Sequence, residues 1–497
     1  MGDELMPSQK NIVQQNKIPL VVMGIPFHDM TFEETVAWAM DRIRSGRPGY
    51  IVTANLDFVM QSRRDPELQR IMLEADLVVA DGAPLVWISR VFGPKLRQRV
   101  TGSDLTPMLA MACTDENRSI FALGAAPGVS QKAMQVLSER YPGLQVAGTY
   151  SPPKADILEM DHEDILKRIQ DTEPDLLLVA FGAPKQEKWI NMHFRKWKVP
   201  LAIGIGGTLD FLAGVQRRAP RLIQKIGMEW FWRMLTNPRR LLGRYASNLA
   251  FLTTESIRLS KLSRGSGPQS EQLPLPQASI LESLQAVSIP LKPMTSIVAV
   301  EAFLEQLLPV IQTHSPVLDL SEIKALSSLE LGGLVILDKT CRQYKRRVFL
   351  WNTRQSIQRY LQACGLKDYL RIVDNLEELQ SQLGMLQQIV REGSLVDMGQ
   401  GFLNIRMPLE LTVTNLENFR QKVEGIWDRM SGHGGLNEIT FDARELEYID
   451  SAALGYLVGL KKKADILDIN FACQGLRGPA RQTIRLARLE ALLNVKN

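Results

Sequence analysis

Between Gly49 and Ile205 the chain repeats one local pattern: a short apolar run stops abruptly at polar or glycine residues and gives way to an amphipathic segment with helical spacing. The runs fall near 49–54, 76–80, 119–123, 145–149, 175–181 and 200–205, with helices expected between them, including 128–140 and 162–170. A run that is apolar throughout suits a strand covered on both faces, and strands joined by crossover helices pair in parallel. An α/β unit with a doubly wound, Rossmann-like sheet is therefore expected. Ile18-Pro-Leu-Val-Val-Met-Gly24 begins the series with a further strand, and Thr31-Phe-Glu-Glu34 is a capping-box opening for the first helix.

Ligands of such folds sit beyond the carboxyl edge of the sheet, so the residues that end the runs are the candidates. Tyr50-Ile-Val-Thr-Ala-Asn-Leu-Asp57 and Leu77-Val-Val-Ala-Asp81-Gly82 bring Thr53, Asn55, Asp57 and Asp81 to one crevice. The same residue types are preferred helix caps, which is the alternative role. In Phe181-Gly-Ala-Pro-Lys-Gln-Glu187-Lys-Trp, a Gly and a Pro force a turn that presents Lys185, Gln186 and Glu187. Leu123-Gly-Ala-Ala-Pro-Gly128 opens a helix after a strand, but it has neither G-x-G-x-x-G nor a Walker lysine, so a structural turn stands beside a phosphate contact. A dinucleotide oxidoreductase would need that missing fingerprint.

The net charge of +5 is concentrated. From Arg217 to Arg264 there are eleven Lys/Arg against two acids, Glu229 and Glu255. Between Leu222 and Leu262 arginine interleaves with Trp, Phe, Leu and Ile, the pattern of a basic amphipathic helix on an anionic membrane surface; a solvated basic face is the plainer alternative. No nucleic-acid module accompanies it, so nucleic acid is not expected as a partner. No signal pattern and no apolar run near the roughly 18 residues of a membrane span is found, so a cytoplasmic protein is expected, peripheral at the inner face of the plasma membrane. Cys113, Cys341, Cys364 and Cys473 form no C-x-x-C pair and read as buried thiols.

Residues 264–282, rich in Gly, Pro, Ser and Gln at first, read as a linker. Beyond it the chain repeats itself. Asp319 precedes Ser328 by nine residues and Asp442 precedes Ser451 by nine, each Asp ending an apolar run and each Ser opening a segment with Leu-Gly near its start. Two small α/β domains are expected, at 283–388 and 395–497. The N-terminal unit divides into a polar, disordered stretch 1–17, an α/β core 18–216 and the basic appendage 217–263.

Thr53-Ala-Asn55, Ala80-Asp81-Gly82, Arg99-Val-Thr-Gly-Ser-Asp104, Gly182-Ala-Pro-Lys-Gln-Glu187, Gly206-Gly207, Arg218-Ala-Pro220, Glu229-Trp230 and Pro238-Arg-Arg-Leu occur in this order. Together they resemble the WecG/TagA/CpsF family of bacterial glycosyltransferases over residues 20–255. The resemblance implies inverting, metal-independent transfer of an N-acetylhexosamine-type sugar from a UDP donor to a polyprenyl-diphosphate-linked acceptor, with no cofactor. It implies Asp81 as catalytic base and Thr53, Asn55, Arg99 and Gln186 as site residues, with an arginine-rich tail that reaches the membrane. The residues fit that chemistry: a carboxylate takes the acceptor proton, and cations carry the departing diphosphate. No two aspartates are two apart, so arginines such as Arg233, Arg240 and Arg244 take the metal's place, beside Lys185 and Glu187 in substrate binding.

The second half resembles two STAS domains, the fold of anti-sigma-factor antagonists. Asp450-Ser451 stands where that family carries a phosphorylatable serine, with a helix cap as the alternative role; Ser327-Ser328 of the first copy lacks the Asp. The resemblance implies a protein partner and a regulatory or docking role for these domains. A signalling scaffold whose transferase half is inactive is the competing reading, and simultaneous matches at Thr53, Asn55, Asp81 and Gln186 weigh against it.

Overall fold

The six apolar runs form one parallel sheet. In the computed structural model, which describes residues 17–90, 95–225, 229, 232, 238–263, 272–392, 396–399, 401–431 and 436–496, the chain begins with β1 (Leu20–Val22) and β2 (Ile25–Phe27). The main sheet follows: β3 (Gly49–Ala54), β4 (Leu77–Ala80), β5 (Ser119–Gly124), β6 (Gln145–Tyr150), β7 (Leu176–Ala180) and β8 (Leu201–Gly204), in the order β4-β3-β8-β7-β5-β6. All its pairings are parallel. Alternate residues serve opposite faces: Tyr50, Val52 and Ala54 enter one core while Ile51 enters the other.

The segment from Ile18 departs from the expected sheet order. Met23 and Gly24 both take positive φ and turn the chain back at once, pairing Val22 with Ile25 in an antiparallel hairpin. A two-residue turn leaves no crossover, so β1 cannot join the parallel sheet. It lies instead against α5 (Ser328–Gln343) of the C-terminal half.

Six helices matter below: α1 (Leu56–Ser62), α2 (Pro66–Glu74), α3 (Lys185–His193), α4 (Pro238–Ser263), α5, and α6 (Ser451–Ile466). The first C-terminal domain has a parallel sheet ordered β12-β11-β10-β9, from β9 (Ala286–Pro290), β10 (Ser315–Asp319), β11 (Phe349–Trp351) and β12 (Arg371–Ile372). The end of the expected linker is ordered: Ala278–Ser283 is helical and buries Leu281 against Phe349 and Trp351, because its Ile-Leu pair gives it an apolar face.

The second domain orders β13 (Val396–Gly399), β14 (Phe402–Arg406), β16 (Glu438–Asp442), β18 (Asn470–Gln474) and β19 (Val495–Lys496) in one sheet. β15 (Glu410–Leu411) and β17 (Tyr448–Ile449) pair separately.

The two C-terminal domains attach differently. One continuous apolar core runs from Val21, Val52 and Leu177 through Leu259 to Leu329, Leu334 and Leu361, so the first domain and the transferase sheet share an interior. A side chain on Gly332 would collide with the Pro19 carbonyl oxygen, which shows how closely α5 meets β1. The second domain has its own core, from Leu403 to Leu493, against which Leu158 packs.

The basic appendage also departs from expectation. Leu259 of α4 is fully buried, and Phe251, Leu252 and Leu262 pack on the shared core, so the apolar face of its second half is turned into protein and not toward a membrane. No helix among the described residues is long and apolar enough to cross a membrane.

Candidate active site

The site is assembled by the carboxyl ends of three neighbouring strands, β4, β3 and β8. Thr53 is buried, and its hydroxyl donates to Gly204 O at 3.2 Å, bracing β3 against β8. Asn55 caps α1: its Oδ1 accepts from the Asp57 N–H at 2.9 Å and the Phe58 N–H at 3.4 Å. Asn55 is thus a cap as well as a wall of the crevice, and Asp57 lies in the first turn it caps. Asp81 follows β4, with its N–H donated to Ala54 O at 2.8 Å. Gly82 takes φ +156, a conformation side chains rarely adopt, and a Cβ there would stand 4.0 Å from Asn55 Cβ. The turn therefore lays Asp81-Gly82 beside Asn55.

A second strip of chain crosses the same edge, because the Val100 N–H donates to Ala80 O at 2.8 Å. Arg99 beside it is tied down: Nη1 pairs with Glu229 at 2.7 Å and Nη2 donates to Gln224 O at 2.9 Å. Arg218 grips Asp104 with both terminal nitrogens, at 2.6 and 2.9 Å, and reaches Glu229 at 3.1 Å. Burial would raise the Asp104 carboxyl, but Arg218 and Thr101 hold it below the ordinary carboxylate range. Arg99, Asp104, Arg218 and Glu229 are hence one ion-pair network that fastens the appendage to the crevice. Glu229, one of the two acids among the eleven cations of that stretch, is the counter-ion shared by Arg99 and Arg218.

The turn after β7 corrects an expectation. Gln186 and Glu187 do not stand out from the turn; both are buried. Gln186 Oε1 accepts from Gly182 N at 3.2 Å and Gly206 N at 3.0 Å, and its Nε2 donates to Glu187 Oε1 at 2.7 Å. They reach inward because Gly204 leaves room: a Cβ there would lie 2.5 Å from Gln186 Nε2. Their role in this structure is to lock the β7 and β8 turns together. Lys185 donates to the Ala155 carbonyl and lies over Phe181, which directs it to the loop after β6; burial lowers its pKa. Arg233 lies outside the described residues, and Arg240 and Arg244 are described in backbone only, within α4.

Burial pushes the Glu187 carboxyl up to about 7, against the opposing Gln186 amide bond. Between its ordinary value of 4.5 and about 7 the folded state keeps a proton that the unfolded chain has lost, so the stability due to Glu187 falls as pH rises through that window. Glu187→Gln keeps the acceptor for Gln186 and removes the titration. Its melting temperature is expected to exceed the parent's by a few degrees at pH 8, for a difference on the order of 2 kcal/mol, and to match it below pH 5. Equal differences at both pH values would refute a buried titrating carboxyl.

The serines predicted in the C-terminal repeats are not helix caps. Ser327 caps α5 in a reciprocal box with Glu330, and Asp450 caps α6 by accepting from the Ala453 N–H at 2.9 Å. Ser328 and Ser451 are the next residues, the first of each helix, and both are buried. Ser328 Oγ donates to Val21 O at 2.8 Å. Ser451 donates its N–H and its hydroxyl to the two oxygens of Glu67 in α2, at 2.6 and 2.7 Å.

Among the described residues no group of three or more His, Cys, Asp or Glu is set to hold a metal ion. About 600 Å³ of cavity lies where the three domains meet, lined by Arg70, Tyr369, Arg371 and Glu410 among others. It shares no residue with the strand-end crevice.

Residues 20–264 match the model of the glycosyl transferase WecG/TagA/CpsF family, and residues 289–379 and 396–497 match the STAS domain. The N-acetylglucosaminyldiphosphoundecaprenol N-acetyl-beta-D-mannosaminyltransferase of Bacillus spizizenii is 31% identical over 191 residues, 38% of this chain and 72% of that protein. The enzyme of the same name from Staphylococcus aureus (strain MRSA252) is 30% identical over 241 residues, 48% of this chain and 92% of that protein. The chain thus belongs to the WecG/TagA/CpsF family of glycosyltransferases, a hexosyltransferase half followed by two STAS segments.

Proposed function

We infer that this protein moves an N-acetylhexosamine-type sugar from a UDP donor to a polyprenyl-diphosphate-linked acceptor, with inversion and without a metal, in cell-surface polysaccharide synthesis. The observation that carries this reading is the placement of Asp81 beside Asn55 and Thr53 at the carboxyl edge of β4 and β3. The acceptor class is the one named for the two related enzymes.

In this mechanism Asp81 takes the proton of the acceptor hydroxyl as its oxygen attacks the anomeric carbon. Thr53 and Asn55 fix the walls against which the donor lies. The leaving diphosphate needs cationic partners. Arg99 and Arg218 are committed to Glu229 and Asp104, and this reading gives that task to Arg233, Arg240 and Arg244. The STAS segments regulate or dock this activity, and the first half of the appendage brings the site to the anionic inner surface of the plasma membrane.

The test is UDP release from a UDP-N-acetylhexosamine by purified full-length protein, with and without a polyprenyl-diphosphate-linked acceptor. Acceptor-dependent UDP release and a lengthened lipid product are expected. Absence of both with every such donor tried would refute the reading and leave the scaffold alternative.

A further inference from the structure

The second STAS segment sits on the transferase through a contact that leads toward the site. Glu67 receives the Ser451 N–H and hydroxyl from above, and from the side it receives Lys188 of α3, at 2.9 Å. Lys188 also pairs with Asp65, the cap of α2, at 2.8 Å. Lys188 follows Gln186 and Glu187, the residues that lock the turns at the ends of β7 and β8. A second link runs alongside: Leu158 packs on the core around α6, and the same loop offers its Ala155 carbonyl to Lys185. Lys185 and Lys188, in the first turn of α3, are thus linked to the second STAS domain through the 155–158 loop and through Glu67.

We propose that Ser451 and Glu67 form a docking latch between the second STAS domain and the transferase, and that Glu67 and Lys188 are positioning residues through which docking sets the geometry of the Gly182–Glu187 turn. The inference rests on the transferase reading for its catalytic consequence, whereas the latch itself stands on the contacts alone. While the domain is docked, Glu67 is about 1% exposed and its bond to Lys188 is shielded from water. Lifting the domain exposes that pair and lowers it to the strength of a surface ion pair. The latch also dictates how a charge on Ser451 acts. Glu67 Oε2 already lies 2.7 Å from the hydroxyl, so an added anion there meets a carboxylate and drives the domain off. Since Ser451 is buried by the contact, any enzyme that modifies it must act on the undocked form.

Hydrogen–deuterium exchange on the full chain separates the two parts of the proposal. In Ser451→Asp, amides near 66–70, 157–160 and 450–455 are expected to exchange at least tenfold faster than in the parent, and turnover is expected to fall about tenfold, as misplacement of a positioned group does. Glu67→Gln added to Ser451→Asp removes the repulsion between two carboxylates and is expected to slow the exchange again, while turnover, which needs the Glu67–Lys188 ion pair, stays below the parent's. A second domain that had simply unfolded would not be rescued this way. Glu67→Ala, which leaves the STAS sequence intact, is expected to open the same three segments. Unchanged exchange in Ser451→Asp overturns the latch. Faster exchange with full turnover overturns the positioning role. If no variant or parent shows transfer, the exchange results still decide the latch, and the failure belongs to the transferase reading.

Discussion

Asp81→Asn is expected to lower turnover by about 10²-fold or more while leaving the melting temperature and the affinity for the UDP-sugar unchanged. The substitution keeps the shape of the side chain and removes the group that takes a proton. The backbone around it is held by the Asp81 N–H, bound to Ala54 O, and by the turn at Gly82. Asp57→Asn is the matched control, since Asp57 sits one residue into α1, where the cap comes from Asn55. It is expected to retain turnover within a few-fold. The assay is acceptor-dependent UDP release under saturating donor, with binding measured separately by calorimetry. Near-normal turnover in Asp81→Asn would remove Asp81 as the base and leave Asp57 or a group of the substrate itself.

The position of Asp81 just beyond β4 was legible because a strand covered on both faces gives way to polar residues at its end, so the sequence position of the last apolar residue is also a position in space. The same reasoning fails for Gln186 and Glu187. A polar pair after a glycine turn looks alike whether it faces solvent or folds back under the sheet, and the outcome here depends on Gly204, a distant residue with no side chain to block the way. Long-range polar contacts are harder still. Ser451 and Glu67 are 384 residues apart, and nothing in either local pattern names the other. The appendage misled for a related reason. Leu252, Leu259 and Leu262 form an amphipathic stripe that fits a membrane or a protein equally well, and periodicity does not say which surface covers it. The tandem STAS pattern was legible from one spacing, because Asp319 to Ser328 and Asp442 to Ser451 span the same strand end, loop and helix start in both copies.

Glu410→Ala is expected to destabilise the protein by about 3 kcal/mol and to release the second STAS domain as a separate, earlier unfolding transition. Glu410 belongs to that domain, yet its carboxylate is shared by Arg342 at 2.6 Å and Arg347 at 2.7 Å from the first STAS domain and by Arg70 at 3.1 Å from the transferase. The Tyr369 ring lies against two of these guanidinium groups. Burial alone would raise the Glu410 carboxyl; Arg342, Arg70 and Arg347 together hold it well below the usual range. Removing it leaves three nearby cations with Asp338 and Glu74 as their remaining acids. Breaking a buried pair costs roughly 3–5 kcal/mol, and because Glu410 borders the interdomain cavity the lower end applies. The transferase and the first STAS domain share one apolar core and should still melt together, whereas the second domain has its own core. Glu447→Ala breaks another ion pair across this junction, to Arg371, but Glu447 is 44% exposed. That variant is expected to cost no more than about 1 kcal/mol. Scanning calorimetry of the two variants decides the matter: if Glu410→Ala costs no more than Glu447→Ala, or melts in one unsplit transition at the parent's temperature, the three-domain ion cluster does not hold the assembly together.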